Sequence, residues 1–390
     1  MSPRAPADSR SRSRPGPGAI AGKTLSWLLL AASGILATRW AERAPMTIDA
    51  IYGRRLFPWI AAAIGIPGRA TRADLAQILL AAGLALLLLY LVFGTLRAAR
   101  HRSFIAGYGR PDHIAAALAI GVWAFQLSWG LNYARPPLAG RLGLRPAPVE
   151  PANLARLVRK LAGEVNETYR RAADARQYTP ESRGGAGSSL RVDADVVADR
   201  LSAAYRTIIP SFGSLPLARP KFPAAAGSIL TFTGVSGIYF PFTGEATVNA
   251  RLPDASVPFV MAHEMAHQRG TAPEDEANFL AYLSCRESGL AAAHYSGALS
   301  AFGLAWNALA VAAPDSARLL GPGLLDAGPL ADRAAIREFW ERHRGVATDL
   351  AEQVNSAYLC ANHQRGGVAS YGRAVDLLLA AEAAGLLDEP

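Results

Sequence analysis

Apolar positions follow two rhythms along this 390-residue chain. In the first third they are nearly continuous: Leu25–Thr38 is an apolar run of 14 residues, Leu75–Leu96 one of 22 and Ile114–Leu131 one of 18. A bilayer core is crossed by about 20 apolar residues wound as a helix. The pattern therefore predicts about three transmembrane helices within residues 25–133, with Trp123, Trp129 and Tyr133 suited to the headgroup layer. The first run is short and follows a basic leader, so a signal sequence fits it as well. Leu56–Ile66 is apolar but broken by Pro58, too short to cross, and fits a segment lying at the membrane surface. Residues 1–24, rich in Pro, Ser and Arg, read as a disordered basic tail.

From residue 134 the rhythm turns amphipathic, which predicts a soluble domain over 134–390. Leu154–Ala173 and Val192–Ile209 space their apolar residues at helical intervals, the second up to Pro210. Pro180–Ser189, rich in Gly and Ser, reads as an exposed loop. Ile229–Val248 is β-branched and aromatic with Gly punctuation, which predicts short strands and tight turns. Helices are expected again at Glu274–Ser288, Ala298–Ala312, Ala331–Cys360 and Ser370–Ala384. The predicted fold is thus N-terminal transmembrane helices followed by a mainly α (α+β) domain with a small β-sheet.

Composition changes this picture in two places. The formal charge of +9 suggests a nucleic-acid partner, yet the arginines are scattered and form no basic stripe interleaved with aromatics. Nucleic-acid binding is therefore excluded from the reading. The basic residues bear on topology instead. Arg4, Arg10, Arg12, Arg14 and Lys23 precede the first run, and Arg97, Arg100, Arg102 and Arg110 follow the second. Their density favours the cytoplasmic side for both segments over the loop between, which carries six arginines among acids. Three spans from a cytoplasmic start place the chain after Tyr133 outside the cytoplasm, and so do two spans after signal removal. Cys285 and Cys360 form no metal-binding pair and read as two buried thiols, with a disulfide the alternative in an oxidising compartment.

One stretch carries chemistry: His263-Glu264-Met265-Ala266-His267. Histidines four apart on a helix share a face, so both imidazoles reach one metal ion, and the glutamate beside the first lies where it takes a proton from water. The context is helical. Pro258 suits a first turn, Ser256 or Asp254 can cap it, and Gly270 stands where a helix ends left-handed. A catalytic zinc needs three protein ligands, and the next acids are Glu274 and Glu276. Glu274 has Asn278 one turn on as a support, but Thr271–Glu274 also matches a capping box, in which case Glu276 is the ligand. His294 and Glu287 are later alternatives. His294 with Tyr295 is further a candidate to stabilise an oxyanion. His343 and His363 read as structural or solvated. The strand region before the helix supplies Ile238-Tyr239-Phe240 or Ala246-Thr247-Val248 as an edge for an extended substrate, with Tyr239 and Phe240 its candidate residues.

Glu274-x-x-Ala277-Asn278 resembles the E-x-x-A-D of membrane-bound glutamate-zincins, with Asn for Asp. More widely, the chain resembles an uncharacterised bacterial family, a domain of unknown function with N-terminal membrane spans and a zincin-like motif. The resemblance runs from about Leu25 to the C-terminus. It rests on SWGLNYARPP (128–137), GVSGIYFPFTGEATVNARLP (234–253), PFVMAHEMAHQRGTAPEDEANFLAYLSC (258–285) and YLCANHQRGGVASYGRAVDLLLA (358–380). It implies His263 and His267 as ligands of one Zn2+, Glu264 as base and an acidic ligand within Glu274–Glu276. Cys360 stands where Lys is expected, and Thr247 where Asn is expected. The expectation is a membrane-anchored zinc metallopeptidase of the bacterial inner membrane. Its soluble domain is extracytoplasmic, and its partners are the lipid bilayer and a protein or peptide substrate near it. The alternative is a non-catalytic metal-stabilised sensor or assembly module on the same scaffold.

Overall fold

The computed structural model describes residues 17–103, 108–145, 149–179, 187–361 and 371–388, with side chains at 17, 225–226, 355–361 and 371–372 outside that description. It is mainly helical, with two small sheets. The helices are α1 (Pro17–Ala41), α2 (Pro45–Ile48), α3 (Phe57–Ile64), α4 (Ile66–Ala70), α5 (Leu75–His101), α6 (Pro111–Ser128), α7 (Leu138–Arg141), α8 (Pro151–Asp174) and α9 (Ala194–Ile208). They continue as α10 (Ala224–Phe232), α11 (Val257–Gln268), α12 (Glu274–Arg286), α13 (Ala291–Ala312), α14 (Pro314–Leu320), α15 (Ala327–His343), α16 (Val346–Ala361) and α17 (Tyr371–Ala383). The strands are β1 (Tyr178–Thr179) with β2 (Ser189–Leu190), and β3 (Gly237–Phe240) with β4 (Glu245–Val248), both antiparallel.

Among the described residues two helices are long and apolar enough to cross a membrane, Gly18–Ala41 within α1 and α5. The first begins well before the predicted Leu25, because Pro17 suits a first turn and Ala19, Ile20 and Ala21 extend the helix into the expected tail. The expected third span is α6, 18 residues with Asp112 in its first turn. It stops at Ser128, and Gly130–Ala134 tightens into a 3-10 turn. Contacts divide the chain into two units, one of residues 1–37 and 81–127, the other of 38–80 and 128–390. Within the first, Gly34 lets α1 approach α6 so closely that a Cβ there would meet Val122 Cγ1 at 2.7 Å. The Trp123 indole donates to the Leu30 carbonyl.

The second unit centres on α8, α11, α12, α13 and α17, whose apolar faces meet around Leu157, Leu161, Met261, Phe279, Tyr295 and Leu378. The helix over 154–173 forms as predicted, and Asp193 caps α9 by accepting from Asp195 N–H. Ile229–Phe232, expected as strand, is instead the end of α10. Pro223 and the Ala224–Ala226 run start a helix there, and it carries through the β-branched residues. The expected helix over 331–360 is two, α15 and α16, broken at Arg344 and Gly345. Residues 180–186 of the expected loop lie outside the described residues. Cys285 is buried and free, while the Cys360 side chain, and with it any pairing, lies outside the description.

Residues 38–80, the end of α1, the loop after it and the start of α5, belong to the second unit and are pinned to it by charge. Asp49 is buried and accepts from Arg135 Nε at 2.8 Å and Arg54 Nε at 2.6 Å. Glu245 on β4 is fully buried, pairs with Lys221, and accepts from the backbone N–H of Ala76 at 2.8 Å and of Leu75 at 3.3 Å. A carboxylate is well placed there because the first turn of a helix exposes unpaired N–H groups and a positive dipole end. Leu56–Ile66 contributes the side chains of Phe57, Ala61 and Ala62 to the interior.

Candidate metal centre

Helix α11 is held from three sides. Pro258 opens its first turn, Phe259 N–H donates to Ser296 Oγ, and the buried Tyr205 hydroxyl donates to the Ala262 carbonyl at 2.6 Å. At its C-terminus Gly270 takes φ +79°, a backbone that L side chains resist. Gly270 N–H then reaches the His267 carbonyl and Thr271 N–H the Ala266 carbonyl, the paired bonds of a Schellman turn. This turn also brings the Thr271 carbonyl to 2.7 Å from His267 Nδ1. With Nδ1–H donating there, Nε2 is the atom left to bind.

His263 Nε2 and His267 Nε2 lie 3.1 Å apart. Glu274 approaches both, with Oε2 3.1 Å from His263 Nε2 and Oε1 3.5 Å from His267 Nε2. Ligands about 2.0 Å from a tetrahedral zinc are separated by roughly 3.3 Å. Two nitrogens and a carboxylate oxygen at these spacings therefore fit one zinc ion, and all three lie within 4.8 Å of one another. Burial lowers the His267 pKa, but the Glu274 carboxylate outweighs it and lifts the imidazole to about 9 without metal. Glu274 is correspondingly held below the usual carboxylate range: its own burial opposes this, and the two histidines prevail.

The capping box does not form. Pro273 is the N-cap of α12, so Glu274 is the first helical residue and its carboxylate is free to turn toward the histidines. Glu276 points elsewhere: Oε1 accepts from Leu138 N–H at 2.7 Å and Oε2 from Arg141 at 2.8 Å. Asn278 is buried one turn beyond Glu274, and its Nδ2 finds no partner among the described residues. Glu287 caps the opposite end of α12.

Glu264 is 3% exposed, and its Oε2 has no hydrogen-bond partner among the described residues. Burial pushes its carboxyl above the usual range, with His263 and His267 pulling back. Strand β3 passes over it so closely that a Cβ on Gly237 would lie 2.6 Å from Glu264 Oε1. Ala246 C=O and Val248 N–H turn away from β3 to bond Lys221. Their register partners Tyr239 and Gly237 are therefore the wide pairs of the ladder, with their own N–H and C=O directed to the open edge. The Tyr239 ring packs 5.0 Å from that of Trp129, which lies 6.0 Å from His267. Phe240 packs on Phe242.

His294 and Tyr295 are not part of this cluster. His294 Nε2 lies 2.6 Å from Glu164, which also accepts from the Tyr282 hydroxyl. It lines a separate cavity of about 280 Å³ with Lys160 and Arg286, whose wall includes none of the three metal-facing residues. Tyr295 is fully buried, packs on Tyr169 and Tyr178, and donates to Asp332 at 2.6 Å. His343 Nδ1 bonds the Phe339 carbonyl of its own helix, and His363 lies outside the described residues. The sequence reading gave no role to Gly237, nor to Arg135, whose Nη1 donates to the Gly270 carbonyl beside the Schellman turn. Both stand inside the quoted blocks 234–253 and 128–137, which was the available signal.

No curated protein and no solved structure matches the chain. A family model described as "Protein of unknown function (DUF3810)" matches residues 52–379, from the loop between the apolar helices through α17, and the chain belongs to that family.

Proposed function

We propose that this chain is a membrane-anchored, zinc-dependent metallopeptidase. The observation that carries the reading is a buried carboxylate, Glu264, with one oxygen unpartnered among the described residues, set between a three-ligand cluster and an open strand edge. A structural metal site has no use for such a group, and burying it is costly. His263, His267 and Glu274 would hold the ion, which when bound supplies a Lewis acid for the peptide carbonyl and a water nucleophilic at neutral pH. Glu264, its pKa raised, takes the proton from the attacking water and returns it to the leaving nitrogen. The outward N–H and C=O groups of Gly237 and Tyr239 align an extended chain by main-chain pairing. Trp129 and Tyr239 shield the His267 side from water.

Chain continuity supports the membrane reading. With α1 and α5 both crossing, residues 42–74 lie on one side and His101 on the other. Residues 42–74 and 128–390 fall in one compact unit, and a return of the chain through α6 would keep them on one side. The arginine-rich segments before α1 and after α5 then face the cytoplasm and the metal centre faces outward.

A second reading, a metal-stabilised sensor, is favoured by the deep burial of Glu264 and His267. Glu264→Gln in the full-length protein separates them. Metal content should stay at one zinc per chain while hydrolysis of quenched peptide substrates falls about 10²–10⁴-fold, the usual worth of a general base. Equal complementation of a deletion strain by wild type and Glu264→Gln would establish the sensor.

A further inference from the structure

Residues 45–66 form a helical strap with two apolar faces. The inner one buries Tyr52, Phe57, Pro58, Ala61 and Ala62. On the outer one Met46 is 68% exposed, Ile51 52%, Leu56 52%, Trp59 67% and Ile66 57%. A surface helix in water keeps a polar outer face, and single exposed apolar residues need no account. Five large ones within 21 residues do. Arg43, Arg54 and Arg55 are exposed around them. The chain enters the strap three residues after α1 ends and leaves it for α5, the two helices apolar and long enough to span.

We propose that the outer face of the 45–66 strap is a docking surface for the interfacial layer of an anionic lipid bilayer. The inference rests on the reading of α1 and α5 as spanning helices, which tether both ends of the strap at one membrane surface. Trp59 is the residue type that settles at headgroup depth, and Arg43 and Arg55 pair with anionic headgroups while their stems cover apolar surface. The inner face leads to the metal centre. The Phe57 ring lies 6.2 Å from that of Trp129, which contacts His267, and Asp49 holds Arg135. The strap's buried face is therefore two ring contacts from a metal-facing histidine. The substrate class is narrowed accordingly to polypeptide stretches beside the membrane surface, such as segments flanking a lipid anchor or a transmembrane helix.

Benzoylphenylalanine placed at Trp59 or, separately, at Met46 tests this in the full-length protein, reconstituted in vesicles of phosphatidylglycerol and phosphatidylethanolamine. Both side chains are exposed, so the substitutions leave the interior intact. Irradiation should give phospholipid adducts at 46 and 59, as at a control position, Leu86 within α5, and none at Leu319, an exposed apolar residue of α14. Adducts at 86 without any at 46 or 59 would overturn the strap proposal alone. Absence at all three would overturn the membrane reading beneath it, and a crosslink from 59 to a second protein chain would assign the face to self-association instead. None of these outcomes depends on zinc or on catalysis.

Discussion

Two buried glutamates, Glu245 and Glu264, show how the same side chain serves opposite ends. Glu245, with no exposed surface, has Lys221 beside it and two helix N–H groups donating to it. Glu264 is almost as deep, and one of its oxygens has no partner. Desolvation costs both, but only the first is compensated inside the fold. The paired carboxylate is a fastener joining β4 to the start of α5. The unpaired one, under the proposed function, would be a reagent, since burial raises its pKa and suits it to accept a proton.

The comparison breaks most visibly at Lys221. Lys221→Met leaves Glu245 buried with no counter-charge, and removing one member of a buried pair costs about 3–5 kcal/mol. Thermal or denaturant unfolding in detergent should show that loss, whereas Glu264→Gln should unfold no more easily than wild type. Equal stability of the Lys221→Met and wild-type proteins would remove the contrast. Next in size is Gly237→Ala. The added methyl collides with the Glu264 carboxylate, so peptide hydrolysis should fall by at least about tenfold, as expected when a catalytic group is displaced by a fraction of an ångström. Zinc content should stay unchanged.

Arg135→Gln sharpens the comparison at the turn that orients His267. It frees the Gly270 carbonyl and leaves the buried Asp49 with Arg54 alone, and loss of such outer support typically lowers metal affinity about 10–100-fold. Competition with a chromophoric chelator would measure it. The smallest effect, taken per unit, is set by pH. His267 without metal titrates at about 9, so below that value it carries a proton that zinc must displace. Zinc affinity should therefore rise as pH increases toward 9 and fall by about tenfold per unit below it, in the range where the protein stays folded. An affinity flat between pH 6 and 8 would contradict the placement of His267 beside Glu274.

Local signals made the metal helix legible. Pro258, the His-Glu-x-x-His spacing and Gly270 each act within one turn of their neighbours, and the structure places them as the pattern indicates. The choice between Glu274 and Glu276 was not legible, because it turns on whether the helix starts at Thr271 or at Pro273, a difference of two residues. His294 and Tyr295 were misread for another reason. Their partners Glu164 and Asp332 lie 130 and 37 residues away in sequence, and no local pattern announces them. Membership of residues 38–80 in the second unit is hidden in the same way, since Ala76 meets Glu245 across 169 residues. The α10 segment failed through competition, its β-branched end overruled by the alanines before it.

Gly237 carries a genetic consequence. Any missense change at this codon adds at least a Cβ, and the room for one is already filled by the Glu264 carboxylate. The position has no conservative replacement, not even alanine. Random mutagenesis scored by function should therefore recover silent changes at 237 and no others, although the residue binds no metal and has no side chain with which to act.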